Sequence, residues 1–121
     1  MLFRRIKQRA FVERAKVHLR ALGSRPAPQG ERRLFIDCGS NIGQGYTFFK
    51  KYLPPESYDA VLIEPNPNCI QTLREKFSGY ENVEIIEGAA WTRNEKLKLF
   101  GLVEDERGAM TQGASVVAEH N

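Results

Sequence analysis

Leu34-Phe35-Ile36-Asp37-Cys38-Gly39-Ser40-Asn41-Ile42-Gly43-Gln44-Gly45 passes from an apolar run into a polar, glycine-rich turn. Leu34 to Asp37 predicts a strand and Gly39 to Gly45 a turn. Tyr46, Phe48, Phe49 and Tyr52 then fall on a short helix that ends before Pro54-Pro55. Ala60-Val61-Leu62-Ile63-Glu64 is an unbroken apolar run closed by an acid, the pattern of a strand covered on both faces. After Pro65-Asn66-Pro67, the residues Ile70, Leu73 and Phe77 recur at helical spacing, with Asn66 or Asn68 as the cap. Val83 to Ile86 predicts a third strand. Strand and helix alternate with short loops, which predicts an α/β domain with a parallel sheet and right-handed crossovers.

Working outward, the chain of 121 residues fits one domain. Apolar content of 41% and charged content of 27% exclude a disordered or membrane-embedded class. The net charge of +3 is unevenly spread. Residues 1–33 hold ten Lys/Arg against two Glu, a net +8, whereas residues 34–121 hold eight Lys/Arg against thirteen acids, a net −5. The basic character belongs to an arm and the domain is mildly acidic, so a nucleic-acid-binding core is not expected. Two domains of organisation follow: a basic helical arm and linker over 1–33, and the α/β unit over 34–121. In the arm, Phe3, Ile6, Ala10 and Val17 form an apolar stripe on a helix over residues 2–22. Gly23 stops it, and Ser24 to Gly30 is a Pro-rich linker. The arm reads first as a solvated helix packed on the domain. Contact with an anionic membrane surface through residues 2–22 is the second reading. With no secretory or membrane-spanning run, the expected compartment is the cytoplasm. Cys38 and Cys69 read as reduced, buried small hydrophobes.

The turn carries the chemistry. It sits directly after a strand and before a helix, where open α/β sheets bind ligands. Gly39 allows a tight turn and close approach of a ligand to the backbone. Gly43 allows the helix to pack close to the sheet. A dinucleotide fingerprint needs Gly where this chain has Asn41 and Gln44, and no Gly-Lys-Ser/Thr marks a phosphate loop. Asp37 instead places an acid at the turn, suited to a cationic ammonium. Glu64, 21 residues after Gly43, is placed to accept hydrogen bonds from ribose hydroxyls. An amino group, a ribose and no phosphate describe S-adenosylmethionine.

Residues 34–118 resemble the start of an FkbM-type methyltransferase domain, within the class I S-adenosylmethionine-dependent methyltransferases. The family pattern Asp-x-Gly-x-Asn-x-Gly matches Asp37, Gly39, Asn41 and Gly43, and its Glu-Pro-Asn-Pro matches Glu64 to Pro67. A third strand followed by a small residue matches Val83 to Ala89, and Ala114-Ser115-Val116 loosely matches a later segment. The resemblance implies a Rossmann-like doubly wound parallel sheet in which the first strand is central. It implies a cofactor site of Asp37, Gly39, Ser40, Asn41, Gly43, Glu64 and Pro65, with Glu87, Gly88 and Ala89 beside the adenine. It implies methyl transfer to a hydroxyl of a small molecule or sugar. The family continues through a strand ending Lys-x-Asp-x-Glu-Gly, which this sequence does not contain. On this reading the sheet is incomplete, residues 34–121 are the N-terminal half of the domain, and either a homo-oligomer or a C-terminal half covers the open edge. No catalytic base can be assigned.

The remaining expectations are structural. Lys96 to Leu99 alternates like a half-exposed strand, Gly101 to Gly113 reads as a loop, and Ser115 to Val117 as a short strand, giving a C-terminal β-hairpin or loop. Trp91, Phe48 and Phe49 read as core rather than adenine-stacking groups. No His, Cys and Asp cluster has metal-binding spacing. The competing functional reading is a non-catalytic S-adenosylmethionine-binding or interaction module with a basic arm.

Overall fold

In the computed structural model, residues 2–25 and 29–100 are described, the side chains from residue 9 onward. The elements run α1 (Leu2–Gly23), β1 (Arg33–Cys38), α2 (Gln44–Phe49), a single 3-10 turn (Pro55–Ser57), β2 (Tyr58–Glu64), α3 (Pro67–Phe77) and β3 (Val83–Glu87). The strands form one parallel sheet in the order β1-β2-β3. The α/β expectation holds for this unit. The C-terminal loop and short strand at Gly101 to Val117 lie outside the described residues. No described helix is long and apolar enough to cross a membrane.

Side-chain alternation divides the sheet into two unequal faces. On one face, Phe35, Tyr58, Ala60, Leu62, Val83 and Ile85 meet α2 and α3. Tyr46 of α2 is fully buried there. Its ring meets Phe77 edge-on with centroids 5.1 Å apart, and its hydroxyl lies 3.2 Å from that of Tyr58. Burial, and then the Tyr58 hydroxyl, push the Tyr46 phenol well above its ordinary pKa. A buried phenol with a hydroxyl partner avoids the cost of an orphaned polar group. From α3, Ile70, Leu73 and Phe77 complete the layer at helical spacing.

The other face carries Leu34, Ile36 and Cys38 from β1, Val61 and Ile63 from β2, and Glu84 and Ile86 from β3. Leu34 is 61% exposed and Ile36 55%. The Ala60–Glu64 run was expected to be covered on both faces; among the described residues α2 and α3 pack on the same side, and no described element covers the other. Cys38, expected to be buried, is exposed because it shares the open face; Cys69 is buried, and neither forms a disulfide.

Three further expectations change. The helix of the arm forms, but Ala10 and Val17 of its apolar stripe face solvent. Leu19 and Gly23, on another side of the helix, meet the domain, with Gly23 against the Tyr52 carbonyl and Arg20 over the Tyr52 ring. Lys96 to Leu99 is irregular chain rather than strand, its alternation kept but with no ladder partner before a lone bridge at Phe100. Trp91 is 48% exposed and donates from its indole N–H to Glu95 at 2.8 Å, so it is not core. Phe49 is core and Phe48 half-buried.

Leu73→Ala should therefore lower the unfolding free energy by about 2–5 kcal/mol in urea titration, while Trp91→Ala should change it by under about 1 kcal/mol.

Candidate functional site

The sheet delivers the singled-out residues to the carboxyl ends of adjacent strands. Asp37 is one residue from the end of β1, Glu64 closes β2 and Glu87 closes β3. The turn after β1 then folds back on β2. The N–H groups of Gly39 and Ser40 both donate to the Ile63 carbonyl, at 2.8 and 3.1 Å. The Ser40 hydroxyl donates to the Asp37 carbonyl at 2.7 Å, and the Gly43 N–H donates to the Ser40 carbonyl at 2.8 Å. Three residues adopt left-handed backbone: Gly39 (φ 78°), Asn41 (φ 50°) and Gly43 (φ 80°). Asn tolerates this conformation, and the Asn41 side-chain oxygen accepts from the Ile42 N–H at 2.9 Å.

The two glycines have different reasons. Space beyond Gly39 is open: a Cβ there would meet nothing within 4 Å. A Cβ on Gly43 would lie 2.5 Å from a Phe77 ring carbon and 3.1 Å from a Leu73 methyl. The close approach that Gly43 permits is therefore to α3, not to the sheet.

Glu64 is 6% exposed. One carboxylate oxygen accepts from the Asn41 N–H at 2.8 Å and the other from the Asn66 N–H at 2.9 Å. Its own carbonyl accepts from the Gly88 N–H at 3.0 Å. It is a brace between loops, where the sequence suggested a side chain free to meet a ribose. Each oxygen keeps a second acceptor site. Removing the side chain would strand two backbone donors as well as any ligand contact.

Asp37 is only half-buried, but its Oδ2 is sealed from solvent and has no partner. Burial, and then the neighbouring Glu64 charge, hold its carboxyl above the ordinary value of 3.8. Among the described side chains, the other buried atom without a partner is Nδ2 of Asn66. Asn66 is the helix cap, its Oδ1 accepting from the Asn68 N–H at 3.0 Å. Both orphaned atoms thus lie at the ends of β1 and β2.

Pro65, Glu87, Gly88 and Ala89 line a cleft of about 370 Å³ at the carboxyl ends of β2 and β3. Its far wall is the irregular chain from Trp91 to Leu99. Glu87 is held by Arg74 across 3.3 Å. The structure divides the sequence-derived set into a turn group (Asp37, Gly39, Ser40, Asn41, Gly43, Glu64) and a cleft group. The Glu64–Gly88 hydrogen bond joins them. Trp91 lines the cleft and was missed because an aromatic residue beyond a strand reads as core. A second hollow, of about 500 Å³, opens at the amino end of the sheet. There Arg32 already serves Asp59 and the carbonyls of Pro55, Glu56 and Tyr58.

No protein-family model matches this chain, and no curated protein does.

Two predictions follow from the turn. Gly43→Ala should destabilise by about 2–4 kcal/mol, combining left-handed strain with overpacking on Phe77. Gly39→Ala should cost about 1–2 kcal/mol from strain alone; paired urea titrations check the order. Because the folded state raises the Asp37 pKa, this group favours folding below about pH 3.8 and that contribution is lost as pH rises through its elevated folded value. Asp37→Asn should therefore be more stable than wild type at neutral pH, with the advantage vanishing in acid, as read from melting temperatures across pH.

Proposed function

We propose that this chain forms the cofactor-binding part of an S-adenosylmethionine-dependent methyltransferase of the FkbM type, acting on a hydroxyl of a small molecule or sugar. In this reading the three-stranded sheet is part of a Rossmann-like doubly wound sheet. The observation that carries it is the buried, unpartnered Asp37 Oδ2 at the carboxyl end of β1, set against Gly45 at the start of α2. A cationic amino group seated there would satisfy an oxygen that no described group satisfies. The second carboxylate at Glu64 adds negative potential to the same point, which favours a cation and opposes a phosphate.

The residues present fit the ligand. Asp37 would take the ammonium, the Gly39–Ser40 backbone would border it, and the remaining lone pairs of Glu64 would accept from ribose hydroxyls. Pro65, Glu87, Gly88 and Ala89 would line the adenine side, with Trp91 on the opposite wall of the cleft. The bound group supplies a methyl already activated by a positive sulfur. The chain's part is to hold that donor in line with an acceptor oxygen and keep water away. Bracing by Glu64 serves that alignment, since it fixes the turn after β1 against the turn after β2.

A second reading, a binding module without transfer, draws on the same Glu64. Its carboxylate is already engaged by two backbone donors, so it serves loop structure whether or not a ribose arrives.

Calorimetric titration with S-adenosylmethionine and S-adenosylhomocysteine separates these. Both ligands should bind, and Asp37→Asn should weaken S-adenosylmethionine roughly tenfold or more while keeping the fold. Absence of heat at millimolar ligand would sink the proposal. Tight binding without methyl release to any hydroxyl acceptor would favour the module.

A further inference from the structure

The positive charge of the chain is concentrated in one element. α1 holds seven Lys/Arg against one Glu, a net +6, whereas residues 29–100 hold nine Lys/Arg against ten acids, a net −1. The one acid of α1, Glu13, is taken by Lys16 at 2.7 Å. Arg20 lies over the Tyr52 ring. Arg9 and Arg14 are exposed, and neither enters an ion pair among the described residues.

One side of α1 is committed to the domain. Ala15, Lys16, Leu19 and Gly23 are its half-buried positions, and Leu19 and Gly23 make the contact. A different face carries Phe11, Arg14 and His18 at i, i+3 and i+7, all exposed. In the sequence, Lys7 and Arg4 continue that spacing toward the amino end, and Glu13 falls outside it. The result is a basic row with an aromatic residue in it.

This row suits a flat anionic surface. With the domain on its other side, α1 offers one face and cannot be enclosed by a groove. Each Lys or Arg close to a layer of anionic lipid raises affinity roughly fivefold, and clusters of about four to eight are the usual requirement. The apolar residues of α1 are spread around the helix, so charge supplies most of the attraction. Phe11, at 73% exposure, decides between lipid and nucleic acid. A ring is accepted at the boundary of headgroups and acyl chains, whereas a nucleic-acid backbone draws on cations and hydrogen-bond donors. Since α2 leads away from the turn after β1, Tyr52 lies toward the amino end of the sheet. The anchor of α1 is therefore remote from the candidate site, and its role is independent of any cofactor.

We propose that this chain docks on anionic phospholipid bilayers through the Phe11–Arg14–His18 face of α1, with Arg14 among the headgroups and the Phe11 ring at their inner boundary.

Co-sedimentation of the full chain with vesicles tests it, comparing mixed phosphatidylserine–phosphatidylcholine with phosphatidylcholine alone. Wild type should bind the mixed vesicles and not the neutral ones, and more weakly as salt rises. Arg14→Glu should weaken binding roughly tenfold or more, and Arg14→Lys should keep it. Lys96→Glu, exposed and outside α1, makes the same change in net charge and should leave binding nearly as in wild type. Phe11→Ala should weaken binding several-fold with no change in charge. Urea midpoints verify that each variant is folded. A wild type that ignores phosphatidylserine, or binds both vesicles alike, overturns the proposal. So does an Arg14→Glu variant no weaker than Lys96→Glu, a Phe11→Ala variant that binds as wild type does, or a chain that prefers duplex DNA to the mixed vesicles at equal phosphate and salt.

Discussion

Glu64 is the constraint around which the carboxyl end of the sheet is organised. A buried carboxylate is costly unless its oxygens are hydrogen-bonded, and charge-assisted bonds to backbone N–H groups are among the strongest available. Here the two oxygens take donors from two loops, at Asn41 and Asn66, while the Glu64 carbonyl holds a third at Gly88. The turn after β1 has no regular structure of its own. It is fixed because its N–H groups end on β2, through Ile63 and Glu64. Gly43 follows from the same geometry. Once the turn is pinned at Asn41, its exit runs against Phe77 and Leu73, and only a residue without Cβ passes there.

Beneath that end, the stability of the unit rests on one face of the sheet. Tyr46, Tyr58, Leu62, Leu73 and Ile70 are sealed between sheet and helices, whereas Leu34 and Ile36 of the same sheet face outward. The asymmetry arises because α2 and α3 both pack on one side. Among the described residues that second side is uncovered, and each partly exposed Leu or Ile there forfeits a share of the roughly 1.5–3 kcal/mol that full burial contributes.

Much of this was legible in the chain. The apolar runs and the helical spacing of Ile70, Leu73 and Phe77 located the strands and α3 to within two residues, and Asn66 was among the two candidate caps. What escaped was decided by partners. A run such as Ala60–Ile63 reads the same whether one face or both are covered. The stripe of Ala10 and Val17 suggested a buried side for α1, but the contact of Leu19 and Gly23 with Tyr52 chose another. Lys96 to Leu99 had the alternation of a strand and no neighbour to pair with. Glu64 stood out in the sequence as a candidate, yet its engagement by two backbone donors did not, because those donors belong to every residue type alike.

Local costs gather at one end of the sheet. Asn41 is held in left-handed backbone, and the orphaned atoms of Asp37 and Asn66 sit within the same turns. At the amino end Arg32 is answered instead, paired with Asp59 and three carbonyls. A chain shaped by stability alone would replace Asp37 with a neutral residue, because burial and Glu64 both penalise its charge. Its presence there is intelligible if a cation offsets the penalty. Strain and unpaired polar atoms collect where a protein trades stability for binding. Here they collect at the carboxyl ends of parallel strands, the end at which α/β sheets hold their ligands.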